Sequence, residues 1–301
     1  MPFPITKRQN YAAEHEQLDP IADNATIFEQ LFTREFPIEF LLAAEVAQIR
    51  TFMFPSGSKL LHRTGEFEKN SLKRLDDTRG ILVEMGRDGF DSPRAKTMAE
   101  HLNKIHGFYN IPNEEFLYTL STFVFDVCDF INVYGWRKLT RTEELAIYYT
   151  YCEMGRLMHI QNIPDTFEGF RAWRDAYAAE HKGYDLANEK VTNGIFKGLR
   201  QSVPWFIRPF IVSFSFSLAE PELPDYLGYR RPRPFVRGFY QALMGIRKRF
   251  NRYFTLWDVW SFEEMVTSNF KSYPKGYNPL SLGPTKLIRA MRKQQATKEF
   301  T

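Results

Sequence analysis

The chain has 301 residues, 44% of them hydrophobic and 16% aromatic, with a formal net charge of only +4. That length suits one large domain or two small ones, with apolar residues enough for a large core. Its two cysteines, Cys128 and Cys152, form neither a CxxC pair nor a zinc spacing, which excludes a disulfide framework and favours a reducing compartment.

The charge is unevenly spread. From residue 196 onward there are 18 Lys/Arg against 7 Asp/Glu, and before it 22 against 29. The basic clusters YRRPRPFVR (229–237), GIRKRFNRYF (245–254) and LIRAMRK (287–293) are interleaved with apolar residues. They fit either a solvated basic face or a peripheral contact with an anionic membrane. Nucleic acid is not expected as a partner, because no recognition motif accompanies the charge. The first twenty residues contain no apolar signal-peptide core, and no run of 18 apolar residues offers a membrane span. The expected location is therefore cytoplasmic, with a peripheral place at a membrane surface left open.

The periodicity predicts an all-α protein of one domain over 1–301, without repeats. Residues 27–50 read as a helix ended by FPSG, and a second runs from about Glu68 to Met85, stopped by Gly86 and Gly89. The next has strong punctuation: Ser92 as N-cap, Pro93 in the first turn and Gly107 after the end. Asn113 or Pro112 opens another. Thr140 and Glu143 form a capping box that launches the helix 141–159, and Asp165 caps one through Phe170 and Tyr177. FIVSFSFSLA (210–219) alternates apolar residues and Ser, a strand pattern, but a lone strand has no partner here, so helix is expected. Pro-rich connections lead to a helix over 234–252 and another from Trp257. The tail YPKGYNPLSLGP reads as loop before a last basic helix.

Helical phase separates the polar residues that face inward, at about 100° per residue. In the helix 93–106, Ala95, Met98, Ala99, Leu102 and Ile105 form one stripe, and His106 falls inside it. His101 lies at its edge and is expected at the surface. A five-residue offset turns the two rings roughly 140° apart, so they do not share one ion. In the helix 68–85, Arg74 and Thr78 are i and i+4 on the flank of an apolar stripe, while Asp76 and Asp77 point elsewhere. An inward arginine needs an anion from another element or from a ligand. Gly155, inside an almost wholly apolar helix, costs roughly 1 kcal/mol against Ala and marks close approach of a helix or a flat ligand. Arg156 and His159 share a face at that helix's end. His159 is the second candidate ligand, or a carbonyl cap. The abundant Phe fits a large flat partner or ordinary helix packing. No GxSxG, GxGxxG, Walker or HExxH motif occurs.

Five runs in fixed order, RLDDT (74–78), NKIHGFY (103–109), YGWRKLT (134–140), EMGRLMHIQNIP (153–164) and YPKGYNPLSLGP, resemble the MpaB-type oxygenase family, which includes the rubber oxygenases. The likeness covers about residues 36–285. The resemblance implies a globin-like helical core around a haem b. It also implies His106 as the proximal ligand of the haem iron, with Arg74 and Thr78 in the haem pocket and Arg74 on a propionate. His159 is the fallback ligand. The implied activity is oxidative cleavage, by dioxygen, of a C=C bond in an isoprenoid-like or other long apolar substrate. A non-catalytic haem sensor or carrier, or a haem-free helical protein binding lipid or a partner, remain the alternatives. Where some rubber oxygenases have a lysine before the pocket threonine, this chain has Asp77, so distal lysine ligation is not available there. Glu66 and Glu68 are candidates, by proximity only, for a carboxylate base.

Overall fold

Local punctuation sets most of the helices of the computed structural model, which describes residues 6–7, 9–255 and 270–299. The fold is all-α apart from a two-residue antiparallel pairing of Thr6–Lys7 with Phe254–Thr255. Helices α1 (Ala12–His15) and α2 (Asn24–Gln30) lead into α3 (Pro37–Thr51), α4 (Pro55–Thr64), α5 (Glu66–Lys69) and α6 (Ser71–Gly86). The middle of the chain forms α7 (Pro93–His106), α8 (Asn113–Tyr134), α9 (Arg141–Leu157) and α10 (Phe167–His181). After α11 (Leu186–Ser202) come α12 (Ile211–Leu218), α13 (Leu223–Tyr226), α14 (Pro234–Asn251) and α15 (Thr285–Glu299). The helix expected from Trp257 lies outside the described residues.

The caps form as their chemistry requires. Ser92 accepts the Ala95 amide, Pro93 opens α7, and Thr140 and Glu143 satisfy each other's backbone at the start of α9. At α10 the capping hydroxyl belongs to Thr166, one residue after the expected Asp165. The helix expected over 27–50 is broken. Pro37 has no N–H to give and its ring blocks continuation, so a π-turn at Leu31–Glu35 closes α2 and Phe36 leaves helical geometry before α3 restarts. The alternating stretch at 210–219 is helical from Ile211 to Leu218, packed against α14.

Helix α8 is central, packed against α3, α9 and α10. By length and composition it is apolar enough to cross a bilayer, contrary to the sequence expectation, but 67% of its most apolar window is buried inside this fold. Gly155 is explained by helix approach rather than a flat ligand: a Cβ there would sit 2.5 Å from Leu120 Cδ2 of α8. On α11, a Cβ on Gly194 would meet the Phe67 carbonyl oxygen at 2.4 Å, so glycine lets α11 lie close against α5 and α6.

The C-terminal tail forms a strap over α6 and α7. Asp76 accepts the Ser272 amide at 3.0 Å, Asp77 accepts the Tyr273 hydroxyl and the Lys73 ammonium, and Glu84 accepts the Tyr277 hydroxyl at 3.0 Å. Lys73 also donates to the Gly283 carbonyl at 2.7 Å. The acids of RLDDT are therefore buried under the tail.

Candidate functional site

Helix α7 delivers His106 on its last turn, and Gly107 follows in ordinary right-handed geometry. The imidazole lines a cavity of about 190 Å³ between the α3–α4 corner, α8 and the end of α9. Apolar residues such as Phe54, Leu61, Phe123, Met154 and Met158 form most of the wall. The ring stands 5.0 Å from that of Phe116, tilted by 53°. His106 Nδ1 is enclosed and has no hydrogen-bond partner. Burial, and then the positive charge of Arg74, push the imidazole pKa down to about 4. The ring is thus neutral at pH 7 with a lone pair free, the form that binds iron.

Arg74 belongs to the neighbouring helix α6, which packs on α7. Its guanidinium hydrogen-bonds the Thr78 hydroxyl, which in turn donates to the Arg74 carbonyl at 2.8 Å. It also lies over the Phe67 ring, 5.0 Å from the centroid. Among the described residues no carboxylate pairs with it. Burial lowers its pKa even though Asp77 and Glu66 lie near enough to oppose the shift. Arg74 and Thr78 are partly buried and stand beside the cavity rather than in its lining. The guanidinium is thus held by one hydroxyl and one aromatic face.

One expectation needs correction. His101 is buried, 6% exposed, not at the surface, because its Nε2 meets the Leu282 carbonyl at 2.8 Å under the tail strap. Asp76 and Asp77 face the tail and hold that strap. His159 is exposed, sits in left-handed backbone at φ 59° and does not itself line the cavity, although its neighbours Met158 and Ile160 do. Of the two candidate carboxylates, Glu68 is engaged with His62 Nδ1, whereas Glu66 accepts from Asn70 at 2.9 Å and acts electrostatically on Arg74.

Sequence reasoning missed Glu115. It is the one carboxylate in the cavity wall among the described residues, and it shares a face of α8 with Phe116, Thr119 and Phe123. Gly57 on α4 makes space for it, since a Cβ there would lie 2.9 Å from Glu115 Oε2. An acid at the apolar edge of a helix start was the available signal, and its position beside Asn113 disguised it as an N-terminal charge. Also missed was a largely buried ionic cluster. Arg137 donates to Glu35 and Glu143, and His15 Nδ1 lies 2.7 Å from Glu143 Oε1. The two acids Glu35 and Glu143, together with His15, could geometrically hold a metal ion, but Arg137 already occupies the carboxylate oxygens.

A group the size of haem fits the donor chemistry here better than the space. The unpartnered imidazole and the guanidinium without a carboxylate match an iron ligand and a propionate partner. At about 190 Å³, however, the cavity is below the roughly 300–1,000 Å³ of most cofactor clefts, so its wall must open to admit one.

Residues 41–248 match the family described as ER-bound oxygenase mpaB/B'/rubber oxygenase, catalytic domain. The chain is 26% identical over 267 residues to the ER-bound oxygenase mpaB' of Penicillium brevicompactum, covering 82% of this chain and 63% of that protein. It is 28% identical over 213 residues to the ER-bound oxygenase mpaB of Penicillium roqueforti (strain FM164), covering 65% and 72%. With mpaB of Penicillium brevicompactum it shares 28% over 204 residues, 61% of this chain and 52% of the relative. The chain thus spans between about half and three quarters of the length of these relatives. The family match covers well over half of the chain and contains Arg74, Thr78 and His106, so the chain belongs to the mpaB/rubber oxygenase catalytic-domain family.

Proposed function

We propose that this chain is a haem-b-dependent oxygenase that uses dioxygen to cleave a C=C bond of a long apolar, isoprenoid-like substrate, in a globin-like core formed as one domain. One observation carries the reading: an enclosed, unpartnered imidazole on the wall of an apolar cavity, beside an arginine with no carboxylate partner among the described residues. His106 would ligate the haem iron, Arg74 would pair with a propionate, and Thr78 would hold the guanidinium in place for it. Bound there, the haem supplies dioxygen binding and activation. The chain supplies the rest. Phe54, Leu61, Phe116, Phe123 and Met154 exclude water and bind an apolar chain, and Glu115 offers a polar anchor at one end. Asp77, tied to Lys73 and Tyr273, is not free to act on the distal side.

The relatives are named ER-bound. We extend a membrane location to this chain, where an apolar substrate is at hand. The small cavity favours a second reading, a haem-free helical protein that binds a lipid or a partner. A haem carrier without turnover is the third.

The test is an absorption spectrum of protein expressed with added haem precursor. A Soret band that His106→Ala abolishes, and His159→Ala leaves intact, is the expected result. Wild type that takes up no haem refutes the proposal in favour of the haem-free reading. Haem uptake without oxygen-dependent products from polyprenyl or terpenoid substrates leaves the carrier.

A further inference from the structure

Large apolar side chains at the surface are concentrated in one part of the chain. Eleven of the seventeen that are exposed among the described residues fall between Trp205 and Phe254. On α14, Phe235, Phe239, Leu243, Ile246 and Phe250 lie within an arc of roughly 80° at 100° per residue. All five are exposed, Phe235 by 70%, Phe239 by 63% and Ile246 by 68%. The opposite side of the helix is the one the fold uses: Tyr240, Met244 and Asn251 are buried. An amphipathic helix normally turns its apolar stripe to the core. Here the aromatic stripe faces out while a narrower face, with Tyr240 packed on Phe214, docks the helix.

A second apolar projection adjoins it. The turn 205–210 carries Trp205, 77% exposed, with Phe206 and Phe210. It feeds directly into α12, whose Ser213 hydroxyl lies 3.2 Å from the Tyr240 hydroxyl of α14.

The charge around this face identifies its occupant. Residues 227–257 contain eight Lys/Arg and no Asp or Glu. Arg231 pairs with Asp225 and Arg247 with Glu39. Arg230, Arg233, Arg249 and Arg252 are exposed and have no carboxylate partner among the described residues. Apposing two copies of the face would bring like charges together, which disfavours a dimer through it. An exposed aromatic stripe on a helix flanked at both ends by exposed guanidinium groups is complementary to an anionic lipid surface: rings enter the headgroup boundary and arginines meet phosphate.

We propose that the outer face of α14, together with the Trp205–Phe210 turn, is an interfacial docking surface for anionic membranes, with α14 lying in the plane of the bilayer surface. The inference gives the proposed membrane location a specific face. It does not rest on haem, and its test reads lipid binding alone.

The full chain is floated with phosphatidylcholine vesicles, with and without phosphatidylserine, at low and high salt. Binding to the anionic vesicles is expected to exceed that to neutral ones at least tenfold, and to fall with salt. Phe235→Ser/Phe239→Ser/Ile246→Ser removes binding to both, at an unchanged melting temperature because the side chains contact little of the core. Arg230→Gln/Arg233→Gln/Arg249→Gln/Arg252→Gln removes only the preference for anionic lipid, by roughly fivefold per arginine. Wild type that ignores both vesicles overturns the proposal. So does wild type that sediments as a dimer which the serine variant disperses, since the occupant is then a second copy.

Discussion

Replacing Arg74 by Met separates a haem-pocket arginine from a structural one, because the two roles predict opposite signs. In the haem-free protein the guanidinium is a partly buried charge with no carboxylate partner among the described residues. Keeping such a charge costs several kcal/mol of desolvation. The Thr78 hydrogen bond returns about 1 kcal/mol, and the Phe67 face about 1–2 kcal/mol. Met fills a similar volume without the charge, so Arg74→Met is expected to stabilise the haem-free protein by about 1 kcal/mol. The same change removes the propionate partner. A charge-assisted hydrogen bond of about 1.5–3 kcal/mol corresponds to roughly 10–150-fold weaker haem binding. Urea unfolding of haem-free protein measures the first quantity and a Soret-monitored haem titration the second. A variant that loses stability without haem, and binds haem as wild type does, would falsify the assignment.

Glu143→Gln breaks the buried cluster and weakens the α9 capping box, at a cost of about 3 kcal/mol in urea unfolding at pH 6. Burial alone would raise the Glu143 pKa, but hydrogen bonds from His15 and Arg137, with the Arg137 charge, hold it at about 2. Its folded pKa is below the ordinary 4.5, so its contribution is full above 4.5 and is lost as pH falls towards 2. For His15, burial opposes protonation, yet hydrogen bonds to Glu143 and Gln30 raise the pKa above 6.5, so its contribution is full below 6.5 and lost as pH rises. The acid limb of the stability–pH curve should flatten in Glu143→Gln, and an unchanged limb would assign it to other carboxylates. Gly194→Ala places a Cβ 2.4 Å from the Phe67 carbonyl oxygen, a backbone atom that cannot swing away. A loss of at least 1–3 kcal/mol is expected by thermal unfolding, and a neutral result would mean that α11 stands further from α5 than described. Asp77→Ala removes the anchor of Lys73 and Tyr273. Limited proteolysis should then cut the tail first, at rates at least several-fold above wild type; equal rates would show that Asp76 and Glu84 hold the strap alone.

What was legible in the sequence was local. The Ser92–Pro93 start of α7 and the Thr140–Glu143 box of α9 depend on residues within one turn, so their chemistry is complete in the sequence. Helical phase likewise put His106 on the apolar side of its helix, and paired Arg74 with Thr78 one turn apart, where the hydrogen bond forms. Tertiary structure decided what depends on distant partners. His101 is buried by a carbonyl 181 residues away, and Asp76 and Asp77 by a strap 196 residues away. Glu115 enters the cavity only because α4 presents a glycine opposite it. The periodicity of α14 announces an amphipathic helix, but not which side the core takes. Only packing of Tyr240 and Met244 against the fold turns the phenylalanines outward, because a helix carries its pattern within itself while the direction of burial belongs to its neighbours.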